Sequence, residues 1–89
     1  MRPSIDEVWR RIEREAGNPF HTVTGLEFTY EVPGNYICPS RTVRRLSKSN
    51  FEKALAAMPA ASPAQIRERQ GASYTFAILM DPRIRRGGW

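Results

Sequence analysis

One cysteine, Cys38, and one histidine, His21, are the only side chains among the 89 residues that commonly staple a small fold. No disulfide can close within such a chain, and a zinc site built from Cys and His has too few ligands. The fold must therefore rest on apolar burial. A chain this short buries roughly 60–65% of the surface its unfolded form exposes, enough for one modest core and one domain. The hydrophobic fraction of 40% and mean hydropathy of -0.53 lie between those of disordered and membrane-embedded chains. No apolar run, Phe76 to Met80 included, exceeds five residues, far short of the roughly 20 that cross a bilayer. The opening MRPSIDEVW lacks the apolar segment of a signal peptide. These features predict a cytoplasmic, disulfide-free protein without membrane association.

Ile5, Val8, Trp9, Ile12 and Ala16 recur at the spacing of one helical face, with charged residues between them. Ser4 and Glu7 stand in capping-box register at the start of this helix. Glu7 and Arg11 are spaced for an ion pair, and Gly17 marks a stop. From Phe20 to about Leu46 the pattern is strand-like. Phe28, Tyr30 and Val32 alternate with Thr29 and Glu31, the period of a half-buried strand. Upstream, FHTVT is β-branched and aromatic; Thr24-Gly25 and Pro33-Gly34-Asn35 read as turns, and Tyr36-Ile37-Cys38 as a third short strand that Pro39 ends or places at an edge. A three-stranded antiparallel meander accounts for this block, with RTVRRL as a marginal fourth strand.

The remainder reads as helical. Ser49 and Glu52 form a second capping box ahead of Phe51, Leu55 and Met58, and Pro59 closes that helix. Ser62, Pro63 and Gln65 open a short helix that ends near Gln70-Gly71. The run from Ser73 to Met80 fits a buried helix or a buried strand, the four-residue spacing of Tyr74 with Ile78 and Phe76 with Met80 favouring the helix. The closing RIRRGGW reads as a loose tail. The predicted architecture is α+β: an N-terminal helix, a small three-stranded antiparallel sheet, then two or three C-terminal helices. Residues 1–82 form one domain, and residues 83–89 a flexible basic tail.

Charge is distributed unevenly. The net charge is +5 and the pI about 10.1, which favours polyanionic partners. Residues 1–37 carry four arginines against six carboxylates, whereas residues 38–89 carry ten basic groups against three carboxylates. Twelve of the fourteen basic residues are arginine, a bias that a GC-rich genome also produces without selection for phosphate. The densest stretch, Arg41, Arg44, Arg45, Lys48 and Lys53, runs from the sheet into a helix start. There, forked guanidinium donors and unpaired amides both suit phosphate. Thr42, with Ser40, Ser47 and Ser49, adds neutral donors for a nucleic-acid backbone. The bland alternative is a solvated basic face with capping serines.

Two helices over residues 50–58 and 63–70 have the spacing of a helix-turn-helix, whose second member would present Gln65, Arg67, Arg69 and Gln70 to base edges. Against this stands Ile66, nearly the only apolar anchor of that helix. Phe20, Phe28, Tyr30 and Tyr36 offer a stacking surface for single-stranded bases if exposed, or a core if not. His21 lacks an orienting carboxylate nearby in sequence, and Cys38 reads as a strand cysteine rather than a nucleophile. No glycine-rich phosphate loop, nucleophile elbow or paired metal-binding motif is present. No catalytic residue, metal, cofactor or small-molecule substrate is expected, and the chain reads as a binding protein rather than an enzyme.

The run TGLEFTYEVPGNYICPSRTVRRLSKSNFEKAL, followed by GASYTFAILMDPRI, resembles a group of small stand-alone bacterial proteins. The shared pattern is SRT-x-R, KS-x-FE-x-A and a final SY-x-x-AIL-x-DPRI. The resemblance covers nearly the whole chain except the extreme tail and implies a complete unit. It carries no activity, ligand or catalytic residue with it. It singles out Arg41, Thr42, Arg44, Tyr74, Asp81 and Arg83 for attention. The leading expectation is a DNA-binding module that uses Arg41, Thr42, Arg44, Arg45, Lys48, Lys53, Arg67 and Arg69. The alternative is a protein-interaction adaptor or accessory subunit that uses the sheet edge or the Tyr74–Ile84 region.

Overall fold

A computed structural model describes residues 3–89. The first helix, α1 (Ile5–Arg14), starts where Ser4 Oγ accepts the Glu7 amide at 3.2 Å. Its buried face is Val8, Trp9 and Ile12, as the periodicity predicts. Glu7 pairs with Arg10 at 3.5 Å rather than with Arg11. Arg11 instead reaches the far end of the chain, where its Nη1 donates to the Ile84 carbonyl at 2.9 Å. The helix closes at Glu15, two residues before Gly17. Gly17, at φ 87°, turns the chain so that its amide meets the Tyr30 carbonyl at 2.9 Å.

Five short strands follow instead of three. β1 (Phe20–His21) and β2 (Glu27–Phe28) form an antiparallel hairpin with Phe20 opposite Phe28. β3 (Tyr30–Glu31), β4 (Tyr36–Pro39) and β5 (Leu46–Ser47) form a three-stranded antiparallel meander, one strand further along the chain than predicted: the FHTVT strand pairs outside it and the marginal fourth strand joins it. The strand predicted over Phe28 to Val32 divides at Thr29, because its two halves serve different neighbours, β1 and β4. Ser40 bridges the division: its amide donates to the Thr29 carbonyl at 2.8 Å and its Oγ accepts the Thr29 amide at 3.0 Å. RTVRRL is strand only at Leu46, which pairs with Ile37. Alternation turns Phe20, Phe28 and Tyr30 into the core, which removes the exposed aromatic platform.

The second helix, α2 (Lys48–Ala56), is capped by Ser47 and not by Ser49. Pairing with Tyr36 holds Ser47 extended (φ -73°, ψ 155°), the geometry of an N-cap, so its Oγ accepts the Asn50 amide at 3.1 Å. Phe51, Ala54, Leu55 and Met58 are buried. The helix predicted over Pro63 to Gln70 is only a single 3-10 turn, Pro63–Ile66. Ile66 is the one buried residue of that stretch, so a longer helix would gain little. A helix-turn-helix is therefore not formed.

The ambiguous run is helical, α3 (Ala72–Met80), with Thr75 to Leu79 all buried. It enters through Gly71, whose φ is +51° and where an added Cβ would stand 2.8 Å from Leu46 Cδ2. Both conformation and space demand glycine there. The tail is folded too. Asp81 caps a final short helix, α4 (Pro82–Arg85), by accepting the Arg83 amide at 2.9 Å. Ile84 is fully buried, and the Trp89 indole donates to the Leu79 carbonyl at 2.8 Å. The architecture is α+β as predicted, with one core between the three longer helices and the sheets. Trp9 meets Phe51 edge-on at 5.7 Å on one side. Phe20, Phe28, Tyr30 and Tyr74 interlock at 4.9–6.0 Å on the other. Among the described residues, no helix is long and apolar enough to cross a membrane.

Candidate nucleic-acid interface

The loop between β4 and β5 carries four of the eight candidate residues, and its local bonds explain its shape. Arg41 Nε donates to the Glu27 carbonyl at 2.6 Å, tying the loop to the β1–β2 hairpin. Thr42 Oγ1 accepts the Arg44 amide at 3.1 Å, a hydroxyl turn that occupies Thr42 within the protein. Arg44 and Arg45 then project from the loop, both exposed. The Arg45 guanidinium lies 5.0 Å from the centre of the Tyr36 ring, a cation–π contact that leaves its donors open.

Lys53 and Arg69 are brought to one depression by a buried polar node that the charge pattern does not reveal. Asn50 Oδ1 accepts the Gln70 amide at 2.8 Å, while its Nδ2 donates to the Gln70 carbonyl at 3.2 Å and to Thr75 Oγ1 at 3.2 Å. Thr75 Oγ1 in turn donates to the Gln70 carbonyl at 2.9 Å. Gln70 closes the arrangement by accepting the Ser47 amide through its side chain at 3.4 Å. Asn50 and Thr75 are both buried, so these bonds are made where unmade ones would be costly. The outcome is a polar depression of about 230 Å³ at the start of α2. Ser47, Ser49, Asn50, Lys53, Glu68, Arg69 and Gln70 line it. No sequence signal marks Asn50 for this role, since an asparagine near a helix start reads as capping.

Internal partners divide the basic groups into two sets. Lys48 is spent on α1: its Nζ lies 2.7 Å from Asp6 Oδ1 and holds that carboxyl below the usual aspartate range. Arg83 is spent at the other end of α1. It forks onto both Asp81 oxygens at 2.9 Å, donates to the Pro19 carbonyl at 2.9 Å, stands 3.7 Å from Glu15 and lies 4.0 Å over the Phe20 ring. Arg85 donates to the Trp89 carbonyl, and Arg86 to that of Arg83 at 3.3 Å. The DPRI element therefore serves as a structural clasp joining α4, α1 and β1. Arg44, Lys53, Arg67 and Arg69 make no side-chain hydrogen bond or ion pair among the described residues. Arg67 and Arg69 lie in the turn after the 3-10 segment, not on a recognition helix.

The remaining candidates resolve simply. His21 does have a carboxylate, Glu27, across the hairpin at 3.3 Å, on an exposed surface. Cys38 is a free, half-buried strand residue. No group of three potential metal ligands exists among the described residues. Most of the Tyr74–Ile84 region, considered above as a protein-contact surface, is interior. Comparison with known protein families, with curated proteins and with solved structures found no match to this chain.

Proposed function

We propose that this protein binds DNA through phosphate contacts from the β4–β5 loop, the start of α2 and the 67–70 turn. The observation that carries this reading is the partition of the cations. Around α1, Arg10, Arg11, Lys48 and Arg83 are paired with carboxylates or held by carbonyls, and Arg14 alone of the described cations there has no such partner. Arg44, Lys53, Arg67 and Arg69 have no such partner among the described residues. The Asn50–Gln70 bonds hold the last of these against the helix that carries Lys53. Guanidinium groups with all donors open, beside a helix start, are well suited to phosphate oxygens. Glu68 lies on the same rim and limits the positive field there.

A salt titration with a labelled duplex tests the proposal. Affinity should fall between 50 and 200 mM salt by about 0.9 log unit per log unit of salt for each phosphate contacted. Arg44→Glu combined with Arg45→Glu should abolish binding with little change in Tm, since both side chains are exposed. If that double variant retards duplex DNA as well as the wild type does, the assignment fails.

A further inference from the structure

We propose that the end of the molecule formed by the 22–26 turn and the 41–45 loop touches the inside of a nucleic-acid groove, with Val43 as the apolar side chain that enters it. The proposal rests on the DNA-binding reading above and extends it from phosphates to bases and sugars. Among the described residues only three large apolar side chains are exposed: Val43 fully, Val23 by 64% and Leu26 by 40%. Isolated exposed apolar residues are ordinary on any protein surface. These three are not scattered, because all lie on two loops that are bonded to each other. Arg41, two residues before Val43, donates to the carbonyl of Glu27, the neighbour of Leu26.

Both loops are internally ordered. Thr22 Oγ1 accepts the Leu26 amide at 3.1 Å, and the Gly25 amide donates to the Thr22 carbonyl at 2.9 Å. The Thr42–Arg44 bond does the same for the second loop. The apolar groups are thus presented by fixed turns, and Val43 stands at an apex bracketed by Arg41, Arg44 and Arg45. One carboxylate, the exposed Glu27, lies at this end, 3.3 Å from His21, and limits the positive field there. A matching partner carries negative charge on either side of an apolar recess. A duplex groove has this character: phosphates on its rims, sugar faces and base edges inside, including thymine methyls. A bilayer would want apolar and basic groups together over the whole contact. Lys53, Arg67 and Arg69 sit on stretches with no exposed large apolar side chain, which favours the duplex.

The test compares wild type, Val43→Ser and Arg44→Gln by anisotropy of a labelled duplex at several salt concentrations. Thermal unfolding of each variant is the control for folding. Val43→Ser should weaken binding about 5–20-fold at every salt concentration and leave the salt slope unchanged. Arg44→Gln should reduce that slope by about 0.9. If Val43→Ser binds as tightly as wild type, the groove contact is refuted and the phosphate reading stands. If the wild type fails to bind duplex at 50 mM salt, both fall. Wild-type binding to phosphatidylserine vesicles but not to duplex, lost in Val43→Ser, would assign these loops to a lipid surface and overturn the proposal.

Discussion

Asn50 holds Gln70 by both polar groups of its backbone, accepting from the amide at 2.8 Å and donating to the carbonyl at 3.2 Å. The two residues are 20 apart in sequence, and this clamp takes the place of the helix predicted between Pro63 and Gln70. It gives the 67–70 turn a defined position without an apolar anchor beyond Ile66.

Replacing Asn50 by alanine should therefore loosen the turn specifically. The part-buried Gln70 amide would lose its partner while the Gln70 carbonyl keeps Thr75 Oγ1, at a cost of about 1–3 kcal/mol. Urea unfolding should show a lower midpoint at unchanged slope. Hydrogen exchange should show lost protection at the Gln70 amide, with α1 keeping its own. Asn50→Asp should not rescue the clamp, because a carboxylate has no donor for the Gln70 carbonyl.

The Asp81–Arg83 clasp makes stability depend on acidity. The Arg83 guanidinium bonded to the Asp81 carboxyl holds it below the ordinary aspartate value of 3.8. A carboxyl with a depressed folded-state pKa binds its proton more readily in the unfolded chain. Its contribution is complete above about pH 4–5 and is lost as pH falls through the lower, folded-state value. Asp81→Asn should remove that part of the acid dependence, so the stabilities of variant and wild type should converge as pH is lowered. A gap that stays constant from pH 7 to the acid transition would contradict the assignment.

Trp89 supplies a test of the folded C-terminus. Its ring is buried and its indole nitrogen bonded to the Leu79 carbonyl. Trp89→Ala should cost about 3–5 kcal/mol, the range for truncating a large buried aromatic side chain. A loose tail would lose nothing, so unchanged thermal unfolding would reject the packing described here.

Local signals suffice where one segment decides its own state. Ser4 caps α1, its buried face follows the 3.6-residue period, and the 73–80 run is a helix with the spacing that favoured it. The eight candidate positions follow from residue type, charge density and helix spacing in the sequence. Which of them are occupied was not legible. Lys48 finds Asp6 across 42 residues and Arg41 finds the Glu27 carbonyl across 14, distances over which no periodicity operates.

By itself, the sequence determined the α+β class, the opening helix, the turns and the concentration of positive charge beyond residue 38. These depend on backbone preference, side-chain spacing and composition, all of which act locally or by simple count. Tertiary structure alone decided that Ser47 rather than Ser49 caps α2, that 63–66 stops after one 3-10 turn, and that Trp89 is core. In each case several local solutions lie within a kcal/mol or so of one another, and burial against a distant partner outweighs that small difference.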